Sequence, residues 1–235
     1  MKKMNEKIIL DTKFDNVYLV QIDNEKAKLA TINFSPGYKS YDEEVIKIND
    51  IEYRIWNPFR SKIAGAILNN MDVTSIIKGH NILYLGSSTG TTVSHLSDIK
   101  RKHGNIYSVE LSPRVMREFI ERVARQRTNV FPILADARYP DNYSDIVGKS
   151  DVIYSDISQP DQTIIAIRNA KRFLNKNGRL YLIIKARSID ATLDIKKIFL
   201  LEKKKLVDAG FEILHFQDLH PHHKDHAILI AKINK

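Results

Sequence analysis

Polar residues of chemically useful types recur where apolar runs end. "NILYLG" runs into the loop "GSSTG", which spans Gly86 to Gly90 and leads to Thr91 and Thr92. "NIYSVE" ends on Glu110, "VFPILAD" on Asp136, "DVIYSD" on Asp156 and "RLYLIIK" on Lys185. A carboxylate at a strand end can accept hydrogen bonds from both hydroxyls of a ribose diol, a role that suits Glu110, and Asp136 can accept from an exocyclic adenine amine. Each position alone is weak, because acids at strand ends are as often helix caps or solvated turns. Four in one sheet say more, since ligands of open α/β sheets bind beyond the carboxyl ends of the strands.

The elements that must position these residues follow from the periodicity. From Asn81 onward, strand-like runs alternate with helical ones: a helix near 91–102, another opened by "SPRVMREFIERVAR", then "QTIIAIRNAKRFL" and a Lys-rich stretch near 194–208. That alternation predicts a doubly wound, mostly parallel sheet with helices on both faces. The chain closes on "FEILHFQDL" and "HAILIAKI" with no helix between, which implies an antiparallel hairpin. Before it, residues 8–56 hold short runs rich in Val, Ile, Tyr and Phe, broken by "DNEK", "SPGY" and "NDIEY", the pattern of a small antiparallel β unit. Pro58 marks the change to "NPFRSKIAGAILNN", where Ile63, Ala64, Ala66 and Ile67 fall at helical spacing. We therefore divide the chain into a small β domain, 1–56, and an α/β domain, 57–235.

Composition bounds the function. The chain has 235 residues, 43% of them hydrophobic and 28% charged, as in an ordinary globular protein. No run of about 18 apolar residues suggests a membrane span, and the start does not look like a signal peptide. With Cys 0, thiolate and disulfide chemistry are excluded, and a reducing compartment, the cytoplasm, is the expectation. The net charge is +9, and its distribution is uneven. Residues 1–56 carry nine Lys and Arg against ten Asp and Glu, a net of −1, while the remainder carries 28 against 18, a net of +10. Such basicity is commonly mere solubility; the sharper reading is a polyanion such as RNA, whose phosphates release counterions on neutralisation.

The loop points to a cofactor. It lacks the G-x-G-x-x-G spacing of a dinucleotide site, and "GSSTGTT" spends on Ser and Thr the positions where a pyrophosphate needs glycine. It better suits a zwitterion whose carboxylate takes backbone and hydroxyl donors. S-adenosylmethionine meets that description.

The stretches "YLGSSTGTTVSHLSDI", "YSVELSPRVMRE", "NVFPILADAR", "DVIYSDISQPDQ" and "IKARSIDAT", with "WNPFRSKIAGAI" and "HKDHA", together resemble fibrillarin in its archaeal form. The similarity covers essentially the whole chain, without the Gly/Arg-rich tail of the eukaryotic members. Departures fall at Ser87, Ser88 and Thr89, where the loop is mostly Ala and Ser, at Leu111 in place of a Phe that stacks on adenine, and at Ser155 in place of an acid.

The resemblance implies a Rossmann-like S-adenosylmethionine-dependent methyltransferase fold behind the small N-terminal β domain. It implies an RNA 2'-O-ribose methyltransferase of the box C/D guide ribonucleoprotein, acting on pre-rRNA and on tRNA. Its partners would be the guide RNA and target RNA, a Nop-family scaffold protein and a kink-turn-binding ribosomal-type protein, with no membrane. Cofactor contacts would fall on Gly86, Thr91, Thr92, Glu110, Leu111, Asp136, Ala137, Asp156, Ile157, Ser158 and Gln159. A Lys-Asp-Lys-His catalytic set falls on Lys62, Asp156, Lys185 and His226.

Chemistry makes that set reasonable. A ribose hydroxyl must lose its proton while attacking the sulfonium methyl in line, so alignment accounts for much of the rate. Lys185 would serve either as a base, if like charge depresses it, or as an ammonium that stabilises the developing alkoxide. Asp156 would orient Lys185, and Lys62 would hold the target. Read without the resemblance, Lys62 is an ordinary solvated lysine on an amphipathic helix. The arginines of "SPRVMREFIERVARQR", opposite an apolar face at Val115, Phe119 and Val123, are equally an ordinary solvated face. His222, His223 and His226 in "HPHHKDHA" tempt a metal reading, but their spacing matches no strong zinc motif and we expect no metal. Two rivals are a nucleotide-dependent oxidoreductase, disfavoured by the missing G-x-G-x-x-G, and a non-catalytic assembly subunit, disfavoured by the retained Lys62, Asp156, Lys185 and His226.

Overall fold

A computed structural model describes residues 7–234. The N-terminal unit is one antiparallel sheet of β1 (Lys7–Asp11), β2 (Val17–Ile22), β3 (Lys28–Ile32), β4 (Val45–Ile48) and β5 (Ile51–Ile55), in the order β1-β2-β3-β5-β4. The run "EEVIKINDIEYRIW" folds as the β4–β5 hairpin. Its turn places Asn49 and Asp50 at φ 47° and 64°, the paired left-handed conformation that matches strand twist and that short Asn and Asp tolerate.

After α1 (Lys62–Leu68) and α2 (Thr74–Lys78) comes the larger sheet. In chain order it is built from β6 (Asn81–Leu85), α3 (Thr91–Lys100), β7 (Asn105–Glu110), α4 (Pro113–Arg122), β8 (Val130–Leu134), β9 (Ser150–Ser155), α5 (Gln162–Phe173) and β10 (Leu174–Lys185). It continues with α6 (Ala186–Ile189), α7 (Ile195–Asp208), β11 (Phe211–Asp218) and β12 (His226–Ile233). The order is β11-β12-β10-β9-β6-β7-β8; β6 to β10 run parallel, and β12 lies antiparallel between β10 and β11. The C-terminal hairpin is therefore present, with its second strand inserted beside β10. Strand order reverses between β6 and β9, so the switch point lies over Gly86 and Asp156.

Alternation along the strands sorts the core. Ile82, Tyr84, Tyr154 and Ile183 face one side and pack with residues of α1 to α4. Leu83, Leu85, Ile153 and Leu182 face the other and pack with α5 and α7. Helix α4 differs in detail from its sequence pattern: Met116, Phe119 and Val123 are buried, while Val115 is only partly covered. Two short helices, α2 and α6, were not apparent from the periodicity, being five and four residues long. The carboxyl end of α2 is closed from outside, by Lys100 Nζ donating to the carbonyl of Ile77 at 2.6 Å.

The small sheet joins the large one through α3. Phe14, Val17, Leu29 and Trp56 share an apolar cluster with Val93, Leu96 and Ile99. At the same junction Arg54, fully buried, sits 2.6 Å from Asp98 and 2.6 Å from Glu43, and Arg127 meets the other Asp98 oxygen at 2.5 Å. His95 completes it, bonded to Thr31 at 2.8 Å and Tyr41 at 2.6 Å and stacked on Trp56 at 5.1 Å. Removing one partner from a buried charge network strands the others, at about 3–5 kcal/mol, so this junction resists independent motion of the small sheet. No helix among the described residues is long and apolar enough to cross a membrane.

Candidate active site

The loop after β6 turns on two glycines. Gly86 adopts φ 78°, and a side chain there would come 3.0 Å from the Asp156 carbonyl. Gly90 adopts φ 90°, and a Cβ would land 2.5 Å from the Phe119 ring. Only glycine meets both demands, of backbone and of space. Ser88 between them is also left-handed, at φ 49°. Its amide donates to Glu110 Oε2 at 3.0 Å, and the Ser112 amide donates to Glu110 Oε1 at 3.0 Å. Glu110 thus ties the loop to the start of α4, while each oxygen keeps a lone pair for another donor.

These residues line a cavity of about 410 Å³ at the carboxyl ends of the parallel strands, within the range of small-molecule sites. Of the expected cofactor contacts, Gly86, Glu110, Leu111, Asp136, Ala137, Asp156, Ile157, Ser158 and Gln159 form its wall. Thr91 and Thr92 do not line it. Thr92 is buried, and its hydroxyl meets Ser61 Oγ at 3.0 Å. Leu111 is 53% exposed at the cavity wall. Ser155 is wholly buried.

Lys62 and Lys185, 123 residues apart in sequence, converge on one carboxylate. Lys62 Nζ donates to Asp156 Oδ2 at 3.0 Å. Lys185 Nζ lies 2.8 Å from Oδ1 and donates to the Asp156 carbonyl at 2.8 Å and to Ser158 Oγ at 2.7 Å. Burial works to raise the Asp156 carboxyl, but the two ammonium groups outweigh it and hold it below the usual carboxylate range. Lys62 is therefore no solvated lysine: it opens α1, and its side chain is 18% exposed.

His226 is not on the cavity wall. It begins β12 opposite Lys185 in the β10–β12 ladder, so the two side chains share a face. Its Nδ1–H donates to the Lys224 carbonyl at 2.6 Å, leaving Nε2 as the acceptor of the neutral ring. Burial holds the imidazole below its ordinary value, against that carbonyl's opposing pull.

Sequence reading missed two residues here. Arg138 forks onto Asp161 at 3.0 and 2.9 Å and donates to Gln159 at 3.0 Å, closing the cavity beside Asp136. Gln162, fully buried, accepts from the Lys185 amide at 2.9 Å and donates to the Gln159 carbonyl at 2.9 Å, pinning the loop after β9 to the end of β10. Arg138 stands two residues past Asp136 in "ADAR", a signal that was legible; Gln162 looks like any first-turn helical residue. Among the described residues, no group of three or more His, Asp or Glu is arranged to hold a metal ion.

The cavity can hold a molecule with a diol and an amine at one end, and it sets two positive charges beside one carboxylate at the other. A family model described as fibrillarin matches residues 8–235. A fibrillarin-like rRNA/tRNA 2'-O-methyltransferase of Sulfolobus acidocaldarius is 50% identical over 224 residues, covering 95% of this chain and 96% of that protein. The structure of Aeropyrum pernix fibrillarin in complex with natively bound S-adenosyl-L-methionine superposes with a TM-score of 0.89 at 42% identity, covering 97% of this chain and 100% of that one. The fibrillarin chain of a fibrillarin/Nop5p complex superposes with a TM-score of 0.82 at 37% identity, covering 95% of this chain and all of that one.

Proposed function

The chain belongs to the fibrillarin family, and we propose on that premise that it methylates ribose 2'-oxygens of rRNA and tRNA at nucleotides chosen by a box C/D guide RNA. It is an S-adenosylmethionine-dependent RNA 2'-O-methyltransferase. The observation that carries this reading is the convergence of Lys62, Asp156 and Lys185 at one end of a cavity whose other walls carry Glu110 and Asp136.

The residues present fit the cofactor. Glu110 has a free lone pair on each oxygen for a ribose diol, and Asp136, on the same cavity wall, can accept from an adenine amine. Gly86, on the cavity wall, leaves no room for a side chain against the Asp156 carbonyl. When bound, S-adenosylmethionine supplies an activated methyl group on a sulfonium. Gly86, Glu110, Leu111, Asp136, Ala137 and residues 156–159 are the cofactor-holding set in this reading.

The protein's own work is to align the 2'-hydroxyl and to stabilise charge as its proton leaves. Lys185 Nζ is held by three oxygens, and in this reading its role is to stabilise the developing alkoxide. Asp156 fixes both lysines and keeps their charges from repelling. Lys62, on the same cavity wall, would hold the target ribose. His226 Nε2, the free acceptor of a neutral ring on the Lys185 face, is in this reading the group that takes the departing proton.

Selection of the target comes from partners. The +10 balance of residues 57–235 attracts phosphate but does not read bases. Guide RNA pairing names the nucleotide, a Nop-family scaffold docks the enzyme, and a kink-turn-binding protein completes the particle. The known fibrillarin/Nop5p complex supports the scaffold. In this reading residues 1–56 form the accessory domain and 57–235 the methyltransferase domain. A methylation assay on one defined RNA, with the enzyme alone and with guide and scaffold added, tests it. Site-specific methylation should require the additions; efficient site-specific reaction by the isolated chain would refute the guide-dependent part.

A further inference from the structure

The functional reading uses His226 and leaves its neighbours His222 and His223 without a role. Both press on the segment that delivers Lys62. His223 Nε2–H donates to the Pro58 carbonyl at 2.7 Å. The His222 ring lies 5.2 Å from Phe59, edge to face, and its Cβ is so close to α1 that a Cβ on Gly65 would approach within 3.2 Å. At the far end of α1, Asn69 Nδ2 donates to the His220 carbonyl at 3.1 Å, and Gln217 Nε2 donates to the Asn69 carbonyl at 2.7 Å. The β11–β12 connection thus holds the segment 58–69 at both ends.

Helix α1 needs such support. It has seven residues, far short of what is stable alone, and its N-cap Ser61 makes no side-chain cap bond. The Ser61 hydroxyl instead meets Thr92 Oγ1 at the start of α3. Two outside contacts therefore set where Lys62 begins the helix: Thr92 from the cofactor-loop side and His223 from the C-terminal hairpin. The same connection enters β12 at His226, beside Lys185, and the Ala186 amide donates to the Asp225 carbonyl at 3.1 Å. One loop fixes the positions of both lysines that flank Asp156.

We propose that His223 is a positioning residue for Lys62, holding the Pro58–Ser61 turn so that the Lys62 ammonium meets Asp156. It touches neither substrate nor cofactor and acts only through Lys62. The inference rests on the reading that Lys62, Asp156 and Lys185 form the reaction centre. A neutral imidazole suits the task, since it gives one directed donor without adding a third cation beside Lys62; burial, then the Lys62 charge, keep the ring in that form.

The test pairs His223→Phe, which keeps ring volume and loses the donor, with His223→Gln, which keeps a side-chain N–H donor. Purified full-length proteins are treated with an amine-acylating ester, and modification of Lys62 is followed by mass spectrometry against the exposed Lys176. In His223→Phe, Lys62 should be acylated several-fold faster relative to Lys176, and turnover in the assembled particle should fall several-fold with S-adenosylmethionine affinity unchanged. His223→Gln should restore both. Lys62 acylation in His223→Phe equal to that of the unsubstituted protein would overturn the proposal. Acylation needs no methyl transfer, so an inactive but normally responding set of proteins would refute the functional reading and leave the positioning role standing.

Discussion

The ammonium of Lys62 and the carboxylate of Asp156 meet at 3.0 Å across 94 positions of sequence, with Lys185 on the other carboxylate oxygen at 2.8 Å. Among the described residues, Asp156 is the only acid in contact with either lysine, so it neutralises the pair. Asp156→Ala should leave two cations facing each other in a mostly buried site, destabilising the fold by about 3 kcal/mol and abolishing methyl transfer. Urea denaturation measures the first effect. An unchanged midpoint would mean that the ion pairs are incidental.

Glu110 does two things at once: it braces the loop amides of Ser88 and Ser112, and it keeps acceptor capacity toward the cavity. Glu110→Ala should weaken S-adenosylmethionine binding by about 1.5–3 kcal/mol, or roughly 10- to 150-fold, with the fold retained. Calorimetric affinity equal to that of the unsubstituted protein would remove Glu110 from the cofactor site.

Gly90→Ala tests the loop geometry. The substitution forces a Cβ onto Phe119 at a backbone angle that L residues avoid, and should cost about 2–4 kcal/mol and weaken cofactor binding. Gly148→Ala is the control: nothing lies within 4 Å of its Cβ, and stability should change by less than about 0.5 kcal/mol. Equal thermal shifts in the two variants would contradict the account of the turn.

Acid should destabilise the fold through buried imidazoles. Burial, with nearby cations, holds His95 well below its ordinary value and His223 and His226 below theirs. A folded-state value below the unfolded one means that the unfolded chain binds more protons. That stability is fully present above about pH 6.5 and is lost as pH falls through the folded values. The melting temperature should therefore fall steadily from pH 7 to pH 5. A rise over that interval would show that these rings are protonated in the folded protein.

Much of the site was legible because it sits where strands end. Glu110 and Lys185 close β7 and β10, Asp156 follows β9 by one residue and Asp136 follows β8 by two; period-two alternation finds such ends reliably. Lys62 was not legible that way. Nothing in an amphipathic helix start distinguishes a solvated lysine from one reaching a carboxylate on a distant strand, and only the family resemblance pointed to it. The family resemblance implies a cofactor contact at Thr92, whose hydroxyl in this structure meets Ser61. Gln162, Thr92 and His223 join segments far apart in sequence, and their roles depend on tertiary placement that no local pattern encodes. The same holds for the buried Arg54–Asp98 pair, whose partners lie 44 residues apart in sequence.

The most direct test follows an isotopically labelled methyl group from S-adenosylmethionine into a defined RNA within the assembled particle, with digestion and mass spectrometry to place it. The account predicts one methyl group on a ribose 2'-oxygen of the guide-specified nucleotide. It also predicts none with Lys185→Ala, although that variant should still bind the cofactor, because its charge acts in the reacting complex. A methyl group on a base, or near-normal turnover by Lys185→Ala, would contradict it.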